Sequence, residues 1–432
     1  MCGRWGILAA ILMLLAGASQ SWAQTAPPGP RTNIPTVNLP SQGPDASVPD
    51  LFNTPDDIDS DRKNAGNEAD AVPNELCVIF PPAVDPNAPA RFAADLDLEL
   101  TRDFTMTGLG LRVFLMRIAE GAELDKVFDE AAADQRPLWV QKNFIYRTSV
   151  GDAPSQQYAL QQIHADAASI QASGGAGVTI GLVDSGVDIG HESLRGASIT
   201  AIDVVDGAAK VMPETHGTVI ASILVGQGPL VGVAPKANLI AVRAFREVDA
   251  KIGAAESSSF LLSLGIETAV TNGAQIINLS LTGPQDKLVS QMVNEALMHK
   301  IGIVAAAGNE GPKARPAYPA AQDGVIAVTA TDHKDQLYKR ANQGDYISVA
   351  APGVDILGAK PGGAYDFFSG TSMATGYVTG LAALLMASDT GLTVTELRKV
   401  VEGSAVDLGA PSRDPAFGAG RIDAASALKQ LP

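Results

Sequence analysis

The pattern of apolar and polar positions changes character twice along the chain. Beyond residue 158, short unbroken apolar runs recur at 178–183 (VTIGLV), 239–245, 275–281, 301–307 and 324–330. Runs of this kind fit strands buried on both faces of a parallel sheet. Helical patterns lie before or between them, which predicts a mostly parallel sheet covered by helices in three layers, an α/β domain over 158–432. An apolar helix should begin within the stretch FFSGTSMATGYVTGLAALLMAS at 367–388, where Gly370 can supply a tight turn and Gly376 and Gly380 keep one helical face small. Ser372 then falls in the first helical turn, where unpaired N–H groups and the positive dipole end collect.

Between 73 and 150 the periodicity is shorter. Strand patterns at 75–80 (ELCVIF), 109–117 (LGLRVFLMR) and 138–146 (LWVQKNFIY) alternate with helical ones at 88–98 and 123–134. A β-α-β-α-β order in so few residues predicts a small α+β, ferredoxin-like unit. Nothing in it carries chemistry, and Cys77 reads as a small buried hydrophobe. Residues 24–72 show no apolar period and are rich in Pro, Asp and Asn, which predicts a disordered linker. At the start, Arg4, an apolar run over 7–16 and the ending Ser21-Trp22-Ala23 read as a signal peptide over 1–23. The run is shorter than the roughly 20 residues a membrane span needs. No later segment is long enough, so the mature chain is expected to be exported, to periplasm or medium, without an integral membrane segment. Removal of Cys2 with the signal would leave one thiol and no internal disulfide. With 47 acidic against 31 basic residues the net charge is -16, which argues against nucleic acid or an anionic membrane as partner.

Three strand ends bear suggestive polar residues at the edge where α/β sheets build their sites. Asp184 follows VTIGLV; alone it would cap the next turn. His216 opens an apolar helix in ETHGTVIASILVG, where a lone histidine is more often structural. Asn309 lies between glycines in IGIVAAAGNEG, which alone is turn chemistry. Together with Ser372 they supply every part that acyl transfer requires. A serine hydroxyl needs an imidazole to take its proton, and the imidazole needs a carboxylate to fix its tautomer. The Asn309 amide and the Ser372 N–H could hold an oxyanion.

At these residues the sequence resembles the subtilisin-like serine proteases. VDSGVD around Asp184, THGT around His216, SLTG over Ser280, Leu281, Thr282 and Gly283, AAAGNEG around Asn309 and SGTSMA around Ser372 match that family's motifs in order. GVAP at 232–235, AYPA at 317–320 and APGVDI at 351–356 match between them. The resemblance implies a triad of Asp184, His216 and Ser372, with Asn309 as oxyanion donor and Ser280–Gly283 lining the substrate. It also implies that 73–150, through VQKNFIYR at 140–147, is a propeptide acting as intramolecular chaperone and inhibitor. Protein or peptide substrates and the chain's own prodomain are the expected partners, with a maturation cut between Tyr146 and Tyr158.

Four positions depart from the family's pattern. Gly376 stands where it has proline, Val219 replaces a second histidine, Thr282 a glycine, and Ser193 an aspartate that often binds calcium. The calcium site is therefore in doubt. His164, His191, His299 and His333 show no paired motif, no spacing suggests zinc, and neither metal nor cofactor is expected. The chain ends in GAGRIDAASALKQLP, which argues against a further translocator or wall anchor. Two rival readings use the same residues: a catalytically silent binding protein of this fold, and an esterase. The complete residue set weighs against the first and the substrate-strand motif against the second.

Overall fold

The computed structural model describes residues 71–119, 121–147, 157–165, 173–207, 211–249 and 254–431. The expected leader lies outside the described residues, as do nearly all of the linker and most of the connection bearing the maturation cut. Residues 71–72, read as linker, already belong to the first strand.

The amino-terminal part runs β1 (Ala71–Phe80), α1 (Ala88–Asp95), β2 (Leu98–Met106), β3 (Leu111–Ile118), α2 (Leu124–Ala133) and β4 (Trp139–Arg147). One strand is added to the expected order, because the first helix stops at Asp95 and β2 pairs antiparallel with β3. Its sequence, LELTRDFTM, carries charge on its outer face, and a register shift between Leu100 and Arg102 breaks the alternation that marks a strand. The strands lie in the order β2-β3-β1-β4, the split β-α-β arrangement. Alternation along β1 sends Leu76, Val78 and Phe80 to a core with Phe92 of α1, and Cys77 and Ile79 to the opposite face.

The larger part contains α3 (Tyr158–Gln162), β5 (Thr179–Asp184), β6 (Ser198–Asp203), α4 (Thr215–Val225), β7 (Asn238–Arg243), β8 (Arg246–Asp249), β9 (Ala254–Ser258) and α5 (Ser259–Thr271). It continues with β10 (Ile276–Leu279), α6 (Lys287–Met298), β11 (Gly302–Ala306), β12 (Ile326–Thr331), β13 (Val349–Pro352), β14 (Ile356–Lys360) and β15 (Ala364–Phe368). Last come α7 (Thr371–Ser388), α8 (Val394–Gly403) and α9 (Ala424–Lys429). The main sheet has the order β13-β12-β11-β10-β5-β7-β6, and every neighbouring pair is parallel. Helices α4 and α7 cover one face of it, α5 and α6 the other. The chain leaves β5 toward β7 and β6, then crosses back to β10. Strand order therefore reverses between β5 and β10, and ligand sites form outside the carboxyl ends at such a point.

Small residues set the helix spacing. A side chain at Gly380 would stand 2.5 Å from Val233, and one at Gly376 3.0 Å from Ile223 of α4. The small face of α7 thus meets α4 and the segment after it. Val219 is fully buried and abuts Gly358 of β14, so the residue that departs from the family pattern is a packing contact.

The outward face of the amino-terminal sheet packs on α5 and α6. Its last strand is extended by the hairpin β8–β9: Ile145, Tyr146 and Arg147 of β4 pair antiparallel with Ser258, Ser257 and Glu256 of β9. One six-stranded sheet, β2-β3-β1-β4-β9-β8, therefore spans both parts.

Candidate active site

Asp184 is the last residue of β5, and its carbonyl accepts from Ala244 N (2.8 Å) and Phe245 N (3.2 Å) beyond the neighbouring strand β7. His216 is the second residue of α4. Its Nδ1 lies 2.7 Å from Asp184 Oδ1, with both side chains sealed from solvent. Asp184 Oδ1 also accepts from Ser185 N at 2.6 Å, so the carboxylate has little freedom to turn. A carboxylate on Nδ1 places the proton there and leaves Nε2 as the basic nitrogen. His216 Nε2 is buried and has no hydrogen-bond partner among the described residues. A buried polar atom without a partner costs about 1–3 kcal/mol, which points to a group that works on something else.

The Asp184–His216 contact is held by backbone packing that tolerates no Cβ. One at Gly217 would fall 2.2 Å from the Ser185 carbonyl, and one at Gly186 1.8 Å from the Met212 carbonyl. Gly217 N donates to Ser185 Oγ at 2.9 Å. The small residues after Asp184 and His216 are what let the strand end and the helix start touch.

Ser372 is the second residue of α7, so its N–H has no acceptor within the helix. Its Oγ donates to the Ser280 carbonyl at 3.0 Å, and Ser280 Oγ donates back to the Ser372 carbonyl at 2.9 Å. The structure therefore joins Asp184 to His216 directly but engages Ser372 with the end of β10. Gly376 and Ile220, which stand one turn further along α7 and α4, are packed together, so both candidate residues sit at the same end of the paired helices.

Asn309 follows β11. Its Oδ1 accepts from Thr371 N at 3.0 Å and from Thr371 Oγ1 at 3.2 Å, which ties the amide to the residue before Ser372. With Oδ1 so held, Nδ2 is the end left to donate elsewhere. Gly308 has φ near +107°, and a Cβ there would strike Asn342 Nδ2 at 2.4 Å. In the 280–283 segment Ser280 and Leu281 are buried, while Thr282 and Gly283 are half-exposed. Gly283 exchanges two backbone bonds with Tyr318 (2.8 and 3.1 Å).

The remaining candidates are structural. His191 is buried, accepts from Ser193 N through Nδ1 and meets the Ala364 carbonyl through Nε2. His164, for which no partner was expected, lies 2.6 Å from Asp423. Where a calcium ligand was in question, Ser193 Oγ bonds Tyr365 OH at 2.9 Å and takes a longer bond from Leu230 N, while Gln157 makes two bonds to Val231. No group of three or more His, Cys, Asp or Glu among the described residues is placed to hold a metal. No described helix is long and apolar enough to cross a membrane.

Residues 175–420 match the family described as the Subtilase family. Subtilisin E of Bacillus subtilis (strain 168) is 33% identical over 307 residues, spanning 67% of this chain and 76% of its own. The structure of the maturation protease PagA for prenylagaramide aligns with a TM-score of 0.52 at 30% identity, over 59% of this chain and 94% of that one. Fervidolysin from Fervidobacterium pennivorans, described as a keratinolytic enzyme related to subtilisin, aligns with a TM-score of 0.73 at 21% identity, over 85% of this chain and 62% of that one, which speaks to the fold.

Proposed function

The chain belongs to the subtilase family and is a serine-type peptidase, and from that premise we propose that it is an exported endopeptidase, made as a precursor, whose triad is Asp184, His216 and Ser372. The observation that carries the residue assignment is the buried His216 imidazole, clamped through Nδ1 by Asp184 and unpartnered at Nε2. In the proposed reaction Ser372 Oγ gives up its bond to the Ser280 carbonyl by rotating about Cα–Cβ. It then passes its proton to Nε2 and attacks the scissile carbonyl. Asp184 stabilises the imidazolium, and the Ser372 N–H with Asn309 Nδ2 receives the oxyanion. The imidazolium protonates the leaving amine, and water repeats the sequence on the acyl-enzyme.

Residues 280–283 and strand β9 would line the substrate. A β-edge takes any extended peptide through backbone bonds and leaves selectivity to side-chain pockets. The amino-terminal part already fills that edge with β4, which supports reading 73–150 as a prodomain that inhibits its own enzyme and is cut from it between Tyr146 and Tyr158. Export through the 1–23 leader completes the reading and predicts a secreted chain beginning after Ala23.

Labelling with a fluorophosphonate tests the site. The expected result is one adduct, mapped to the peptide bearing Ser372 and lost in His216→Ala. Turnover should fall by about 10^4- to 10^6-fold on loss of any one triad member. An unlabelled serine, with no hydrolysis of casein once the amino-terminal part has been removed, would favour the silent binding protein.

A further inference from the structure

Among the described residues the largest fully buried side chain is Arg243, the last residue of β7, at 2% exposure. Strand β7 lies between β5 and β6, and in register Arg243 stands beside Asp184 on one side and Asp203 on the other. One edge of its guanidinium grips Glu214 with two bonds, Nε to Oε2 at 2.9 Å and Nη2 to Oε1 at 3.1 Å. Nη1 donates to Asp203 Oδ2 at 2.9 Å and Asp206 Oδ2 at 2.8 Å. A guanidinium is taken out of water only when its donors are met in this fashion.

Glu214 is two residues before His216, and Gly186 is two residues after Asp184. These flanking positions are joined twice: Gly186 N donates to Glu214 Oε2 at 2.7 Å, and Glu214 N donates to the Gly186 carbonyl at 2.8 Å. Glu247 N also donates to Glu214 Oε1, and Glu247 Oε1 accepts from Thr215 N, the first residue of α4. The carboxylate that fixes the distance between the two candidate catalytic residues is thus itself held by Arg243.

We propose that Arg243 is a positioning residue for peptide hydrolysis, keeping the turn after Asp184 and the helix start before His216 in one frame. The inference rests on the triad reading above. It also concerns charge. Asp203, Asp206 and Glu214 face the guanidinium, Glu247 and Arg246 flank them, and Arg102 of the amino-terminal part donates to the Val204 and Val205 carbonyls of the same loop. Without Arg243 these carboxylates lose their central cation near the Asp184–His216 pair.

The test is the rate of fluorophosphonate labelling across pH in the full leaderless chain, for wild type, Ser372→Ala, Arg243→Met and Arg243→Lys, with thermal unfolding of each. Arg243→Met should label roughly tenfold to hundredfold more slowly, as a misplaced catalytic group does. Arg243→Lys keeps the charge without the fork, so it should not restore the wild-type rate. A purely structural role would lower the unfolding temperature and leave the labelling rate of the folded protein alone, which overturns the proposal. Should Arg243→Met fail to fold, a wild-type rate in Arg243→Lys overturns it equally. A wild type that stays unlabelled after its amino-terminal part has been removed would instead bring down the triad reading.

Discussion

The amino-terminal part grips helices α5 and α6 at both ends, and the two ends are built on opposite principles. At their starts two side-chain amides meet backbone N–H groups of the helices. Asn143 Oδ1 accepts from Phe260 N at 3.0 Å, and Gln141 Oε1 accepts from Leu288 N at 2.9 Å. Gln141 Nε2 donates to Asp286, which caps α6 through Val289 N. Neutral amides here complete helix caps. Further along, the turn after β2 lays Thr107 and Gly108 over two buried carboxylates. Thr107 N donates to Glu267 Oε1 at 3.1 Å, Gly108 N donates to Glu295 Oε1 at 2.6 Å, and each carboxylate keeps its Oε2 buried with no partner among the described residues. One end is closed by paired amides; the other leaves two buried carboxylate oxygens without a partner among the described residues.

The widest separation between the two ends should come from pH. Burial, followed by the neighbouring Glu267, pushes the Glu295 carboxyl up to about 7 from an ordinary 4.5, and burial raises Glu267 as well. The Thr107 hydrogen bonds oppose the rise at Glu267, with a smaller opposing contribution from His299. Once the amino-terminal part leaves, both carboxyls meet water and return toward 4.5. The docked state therefore holds more protons between about 4.5 and 7. Docking is strongest below that window, weakens through it by up to about tenfold per unit through Glu295, with Glu267 acting in the same direction, and is flat above it. After the chain is cut, the two parts should co-elute at pH 5 and separate at pH 8, with an affinity difference on the order of a hundredfold. Equal retention at both pH values contradicts this, and Glu295→Gln should narrow the difference.

A smaller effect is expected at the helix starts. Asn143→Ala removes the cap on Phe260 N, a bond between uncharged groups that does not itself titrate, costing about 1–2 kcal/mol of docking, or roughly tenfold. Gln141→Ala should cost about 1 kcal/mol. Isothermal titration of the two separated parts at pH 5 and pH 8 reads both, and a pH-dependent loss in Asn143→Ala would erase the distinction between the ends.

The parallel sheet was legible because strands buried on both faces need unbroken apolar runs: 178–183 was read from the sequence, and the strand is Thr179–Asp184. Strands at an edge escape that logic. β9, reading AAESS, owes its place to pairing with β8 and β4 rather than to an apolar stripe, and β2 hides under charge. The candidate residues were named from spacing and motif, but their hydrogen bonds could not be. That Ser372 turns to the Ser280 carbonyl is a matter of one rotamer, on which a sequence is silent. Arg243 left a trace that was missed: a cation closing the apolar run NLIAVR has to be paired if it is buried. Glu267 and Glu295 left the same kind of trace, as carboxylates inside helices whose neighbours are mostly apolar.

The most direct test of the precursor reading is intact mass and amino-terminal sequence of the leaderless chain beside its Ser372→Ala variant. The account predicts that the wild type yields two pieces parted between Tyr146 and Tyr158, while the variant stays whole. A variant cut at the same place, or a wild type that stays whole although its serine takes the label, would contradict it.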